Sequence, residues 1–198
     1  MQIVVKYILI AIYVSLSFWA AIELVSERSV LHMQTFLIRL IFLWAVWRIQ
    51  IVERVDLSVF SIFITFLHFA FPMAIEYTPG LQTSFSWKLG QSMLALGFLA
   101  AAFAALDLNR SFGLLPSRMP VVSSGVYALI RHPMYLGYLL LVFGSVCMVP
   151  SMWNISAAMM FVALTHIRII LEEKMMNQDR DYRDYAATVH YRLVPKVY

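Results

Sequence analysis

The chain has 198 residues, 62% of them hydrophobic and 13% charged, and a mean hydropathy of +0.77. A soluble core has no use for that much apolar surface, whereas a bundle whose outer face meets lipid does, so the composition excludes a soluble globular domain and predicts an all-α integral membrane protein in one compact bundle. The net charge of +4 comes with no nucleic-acid-binding pattern, so the basic balance is read as membrane topology and nucleic acid is excluded as a partner.

A bilayer core takes about 20 mostly apolar residues per helix. Laid along the chain, that ruler predicts six transmembrane helices. The first, 3–24, follows no strongly basic segment and lacks a cleavage site, so it is expected to be a retained span. In the second, 34–52, Arg39 and Arg48 have to snorkel towards opposite interfaces. The third and fourth are 57–77 and 87–106. The fifth, 133–149, is short, and the turn "VPSMWN" leads directly into the sixth, 152–171, which predicts an antiparallel helical hairpin.

Six spans put Arg28, Arg39 and Lys88 on one side of the membrane and every other Lys and Arg on the other. Cations are retained on the cytoplasmic side, so both termini are expected to be cytoplasmic, in a multi-pass protein of the cytoplasmic (inner) membrane. Two cytoplasmic segments are longer than connections need to be. One is 107–131, punctuated by Gly113, Pro116, Pro120 and Gly125, and the other is the tail 172–198, which carries no lipidation box. Both adjoin the final hairpin. The chain therefore divides into an N-terminal four-helix region, 1–106, and a core, 107–198, in which the loop and tail form a cytoplasmic cap.

Charge is concentrated at the ends of that hairpin. Pro133 suits the first position of a helix, where its missing N–H is no loss, so Arg131 and His132 fall at the helix N-terminus and make an anion site with its dipole. Glu172 and Glu173 fall at the C-terminus of the sixth span, where negative charge serves a helix poorly and a bound cation well. Adjacent anion and cation sites suit a zwitterionic ligand. An amino acid, a phospholipid headgroup and S-adenosylmethionine all meet that description.

The series "GVYALIRHPMYLGY", "EEK", "YRDY" and "RLVP" resembles the Gly-x-Tyr, Arg-His-Pro-x-Tyr, Glu-Glu, Tyr-x-x-Tyr and Arg-x-x-Pro elements of the isoprenylcysteine carboxyl methyltransferase and phospholipid methyltransferase superfamily, in order and spacing. "RSFGLLPSR" and "PVVSSGVY" are similar to its small bacterial branch. The resemblance spans 106–198. It implies a membrane methyltransferase without a Rossmann fold, consistent with the absence of a G-x-G-x-x-G turn, and S-adenosylmethionine as the cofactor. It further implies that Val122, Gly125, Val126 and Tyr127 line the adenosine part. Arg131, His132, Pro133 and Tyr135 would frame the methionine part, and Glu172 or Glu173 would hold its ammonium. Tyr182 and Tyr185 would close the pocket, and Arg192 would orient an acidic acceptor. The four N-terminal spans match no prenyl-recognition motif.

Methyl transfer from a sulfonium is an in-line displacement that needs alignment and a dry site more than acid or base chemistry. A carboxylate such as isoprenylcysteine needs no general base and a thiol at most a lowered pKa; a phenol or amine needs a base, and His132 is the candidate ahead of His190. Arg192, His132 and Glu173 are thus the expected catalytic residues, and the acceptor is lipid-like or small. No metal is expected, because His32, His68, His132, His166 and His190 are scattered.

Each residue also has a structural alternative. Arginines anchor interfaces, tyrosines form aromatic belts, and Glu-Glu can end a solvated helix; the spacing of the series is what those accounts leave unexplained. His68, deep in the third span, reads equally as a functional group or as an imidazole bonded across a helix interface. Gly90 with Gly97, and Gly137 with Gly144, lie two turns apart and permit close helix packing. Cys147 reads as a packed side chain. The competing function is a non-enzymatic binding or assembly protein that retains the fold.

Overall fold

A computed structural model describes residues 55–70, 85–108 and 115–195, with a few isolated positions elsewhere. The expected spans 3–24 and 34–52 lie outside the described residues. Within them are five α-helices and one 3-10 turn, with no strand beyond a single bridge between Val55 and Ser117. The helices are α1 (Val59–Ala70), α2 (Phe85–Leu108), α3 (Pro133–Met148), α4 (Met152–Met176) and α5 (Arg180–Thr188).

By length and composition, α2 with 24 residues and α4 with 25 can cross a bilayer; α1 and α3 are shorter apolar helices. Their outer faces carry exposed Phe60, Phe63 and Phe66 on α1, Leu96 and Phe103 on α2, and Met159 on α4, as lipid-facing surfaces do.

Close packing of α2 against α3 follows from their small residues. A Cβ on Gly97 would stand 2.7 Å from the Gly137 carbonyl oxygen, and one on Gly144 would stand 2.8 Å from that of Gly90. The two glycine pairs thus face each other, and the backbones touch where any side chain would hold them apart. The turn from α3 to α4 is short and held by side-chain bonds. Ser151 caps α4 by accepting the Asn154 N–H at 3.0 Å, and Asn154 Nδ2 donates to the Val149 carbonyl at 2.9 Å.

The helix α4 continues past the expected end at residue 171, so Glu172 and Glu173 sit within its last turns and point to different surroundings. Helix α1 starts at a Ser58 cap, whose hydroxyl accepts the Ser61 N–H at 3.2 Å, and packs on α4. There the buried His68 Nε2 pairs with Thr165 Oγ1 at 3.1 Å, and its ring lies 4.6 Å from that of Phe161. His68 therefore bonds across a helix interface. The tail forms α5, capped by the Asp179 carboxylate on the Asp181 N–H at 3.3 Å, with Tyr182 and Tyr185 on its buried face.

Candidate active site

The elements converge where α2 and α4 end and α3 begins. Asp107, at the end of α2, accepts the Val126 N–H at 2.9 Å and so fixes the 3-10 turn Gly125–Ala128. Gly125 has φ of +59°, and a Cβ there would enter the Asp107 carboxylate; only glycine meets both demands. The turn buries Tyr127.

Next along the chain, the threshold of α3 is paired with the tail. The Arg131 N–H donates to the Tyr191 carbonyl at 2.9 Å, and the His132 N–H to the Arg192 carbonyl at 2.8 Å. Pro133 opens α3 behind them. The tail is held a second time by the Tyr185 hydroxyl, which donates to the Tyr127 carbonyl at 2.7 Å. Burial pushes the Tyr185 phenol up to about 12 and that of Tyr182 higher still, so both remain neutral donors at working pH.

The two glutamates do different things. Glu173 is buried among donors: Oε1 takes Arg131 Nη2 and His132 Nε2, each at 3.1 Å, while Oε2 takes Arg192 Nε at 2.9 Å and Nη2 at 2.8 Å. Both oxygens are occupied, so Glu173 is the hub that ties α4, the α3 threshold and the tail together. Glu172 instead accepts from Arg168 Nη2 at 2.8 Å and from the Tyr135 hydroxyl, both at Oε1.

A cavity of about 140 Å³ lies between these groups. Arg131, His132, Tyr135 and Glu172 form its polar wall; Tyr127, Tyr182 and Tyr185 close it; Val121, Val122, Met119 and Met176 line its apolar side. Arg131 and His132 at the start of α3 thus share one cavity with the Glu172 carboxylate of α4. Among the described residues, no group of three or more His, Cys, Asp or Glu side chains is placed to hold a metal ion.

Residues 85–182 match the family model of the phospholipid methyltransferases. Over this stretch the chain is similar to that family, which takes in the isoprenylcysteine carboxyl methyltransferase-like membrane methyltransferases. Among curated proteins none matches the chain. The match supports a membrane methyltransferase, and the matched stretch, from α2 to Tyr182, contains the cavity-lining residues other than Tyr185 and neither α1 nor Arg192.

Of the residues singled out from the sequence, Val122, Tyr127, Arg131, His132, Tyr135 and Glu172 reach the cavity wall, with Tyr182 and Tyr185 above them. Gly125, Val126 and Pro133 act through backbone conformation beside it. Glu173 and Arg192 stand behind the wall, bonded to each other. Sequence reasoning missed Asp107 and Arg168. The signal for Arg168 was its i,i+4 spacing to Glu172, the helical arrangement that brings opposite charges together. Asp107 gave none, because its partner is a backbone N–H nineteen residues on.

Proposed function

We propose that the protein transfers a methyl group from S-adenosylmethionine to a small or lipid-like acceptor carrying a carboxylate, thiol, hydroxyl or amine. The reaction would take place at the cytoplasmic face of a multi-pass membrane protein with both termini on that side. The observation that carries this reading is that Arg131 and Glu172 line one cavity. Arg131 Nε is buried with no hydrogen-bond partner among the described residues, a donor awaiting an anionic group. Glu172 supplies the acceptor for an ammonium. An α-amino acid end answers both at once, and the apolar side with Tyr127 suits a nucleoside.

When bound, S-adenosylmethionine supplies a methyl group on a sulfonium, an electrophile that departs as a neutral thioether. The chain's own residues align and enclose. Tyr182 and Tyr185 exclude water from above, which strengthens every charge contact inside. With His132 Nε2 donating to Glu173, its Nδ1 lone pair is left to take a proton from a phenol or amine acceptor. Arg192, held by Glu173 and with about a third of its side chain exposed, would give an acidic acceptor its orientation.

A cavity of about 140 Å³ is smaller than the ~300 Å³ at which pockets for molecules of this size begin. Its polar residues suit the amino-acid end. The test is calorimetric titration of S-adenosylmethionine into detergent-purified protein, with Glu172→Gln in parallel. Saturable binding that the substitution weakens about tenfold supports the reading, since a charged hydrogen bond contributes about 1.5–3 kcal/mol. Absence of binding by folded wild-type protein refutes it.

A further inference from the structure

We propose that Arg168 is a positioning residue: held by Thr65 of α1, it clamps one oxygen of Glu172 so that the other faces the cavity. The inference rests on the donor reading above, and it concerns a residue that lines the cavity beside Glu172. Arg168 is 2% exposed. Among the described residues its guanidinium reaches three partners: Nε donates to the Tyr135 hydroxyl at 2.9 Å, Nη1 to Thr65 Oγ1 at 2.8 Å, and Nη2 to Glu172 Oε1 at 2.8 Å. The Tyr135 hydroxyl passes its own proton on to the same Oε1.

Two donors thus converge on Oε1, while no donor among the described residues reaches Oε2. A carboxylate fixed in this way cannot rotate without breaking both bonds, so Oε2 stays available to the cavity that Glu172 lines. Only a planar fork serves three acceptors so placed; an ammonium on a flexible stem is a single point and cannot. Thr65 completes the arrangement by fixing the guanidinium's third edge. It lies on a helix upstream of the family-matched stretch, so this support is supplied by a part of the chain that carries no family motif.

The experiment compares two ligands by calorimetry on the detergent-purified full chain. S-adenosylhomocysteine carries the α-amino acid end that Glu172 would receive. 5′-Methylthioadenosine shares the nucleoside and thioether and lacks that end. Arg168→Lys, Thr65→Val and Glu172→Gln are titrated with both, and the Thr65→Val/Glu172→Gln double variant with S-adenosylhomocysteine.

The expected result is selective loss. Arg168→Lys weakens S-adenosylhomocysteine about tenfold or more, and Thr65→Val, nearly isosteric and the safeguard if the arginine variant does not fold, weakens it about fivefold. Neither changes 5′-methylthioadenosine by more than about twofold. In the double variant, Thr65→Val adds nothing to Glu172→Gln, because both act through one carboxylate. Equal weakening of both ligands, additivity, or no effect of Thr65→Val overturns the positioning role. Failure of folded wild-type protein to bind either ligand overturns the donor reading itself, and this inference with it.

Discussion

Arg192 places two nitrogens, Nε and Nη2, on the same oxygen of Glu173, at 2.9 and 2.8 Å. The opposite oxygen is shared by Arg131 and His132. One buried carboxylate therefore joins the tail to the threshold of α3, and the backbone pairs from residues 131 and 132 to 191 and 192 run alongside it. Removing the charge leaves two guanidiniums and an imidazole facing one another. Glu173→Gln should destabilise the cap by about 3 kcal/mol or more, by the measure of other broken buried pairs. Limited proteolysis in detergent should then cut the tail after Met176 much faster, with the transmembrane part intact. An unchanged cleavage rate would show that the hub does not hold the tail.

Tyr185 provides the second attachment. Tyr185→Phe removes the donor to the buried Tyr127 carbonyl and leaves that acceptor unsatisfied, a loss of about 1–2 kcal/mol. The same proteolysis assay should show faster tail cleavage, to a smaller degree than Glu173→Gln. Cleavage at the wild-type rate would contradict the role assigned to the hydroxyl.

Much of this site was legible in the sequence, and the reasons differ by residue. Pro133 at a helix start and Glu172 and Glu173 at a helix end are local features, readable because helix ends have fixed chemistry. The facing glycines of α2 and α3 were readable as a two-turn spacing, though which helix would receive them was not. The division of labour between the two glutamates was hidden. Adjacent helical residues point about 100° apart, so Glu172 lines the cavity and Glu173 meets the tail, and which does which depends on how α4 rotates against α3. Arg168 reads in the sequence as one of the cytoplasmic cations, and the packing of α1 and α3 on α4 contributes to burying it.

The turn that carries Tyr127 depends on Gly125. Alanine there has to adopt a left-handed conformation, at about 1–2 kcal/mol, and to push its Cβ into Asp107. Gly125→Ala should weaken S-adenosylmethionine binding several-fold while leaving the thermal unfolding of the helical bundle nearly unchanged. Asp107→Asn, which still offers an oxygen to the Val126 N–H, should do so less. Wild-type affinity in Gly125→Ala would dissociate the turn from the donor site.

The cap should also loosen in acid. The hydrogen bond from Arg118 Nε, at 3.0 Å, holds the Asp179 carboxyl below the usual carboxylate range, and the Asp181 N–H adds to it. A depressed carboxyl contributes stability that is present above its unfolded value and lost as the pH falls through its folded one. Tail protection, followed by hydrogen exchange in α5, should therefore decline as the pH is taken down through the ordinary aspartate range. Asp179→Asn, already without the ion pair, should show a smaller decline; an identical profile would exclude Asp179 as its source.

The most direct test of the central claim is turnover. Wild-type protein, Arg131→Ala and Glu172→Gln, each verified as folded, would be incubated with methyl-labelled S-adenosylmethionine and an extract of membrane lipids and small metabolites. S-adenosylhomocysteine formation and label transfer would be measured together by mass spectrometry. The account predicts equal amounts of S-adenosylhomocysteine and one methylated product with the wild type, reduced at least tenfold in both variants. Equal turnover in all three proteins, or none by folded wild type across carboxylate, thiol, hydroxyl and amine acceptors, would contradict it.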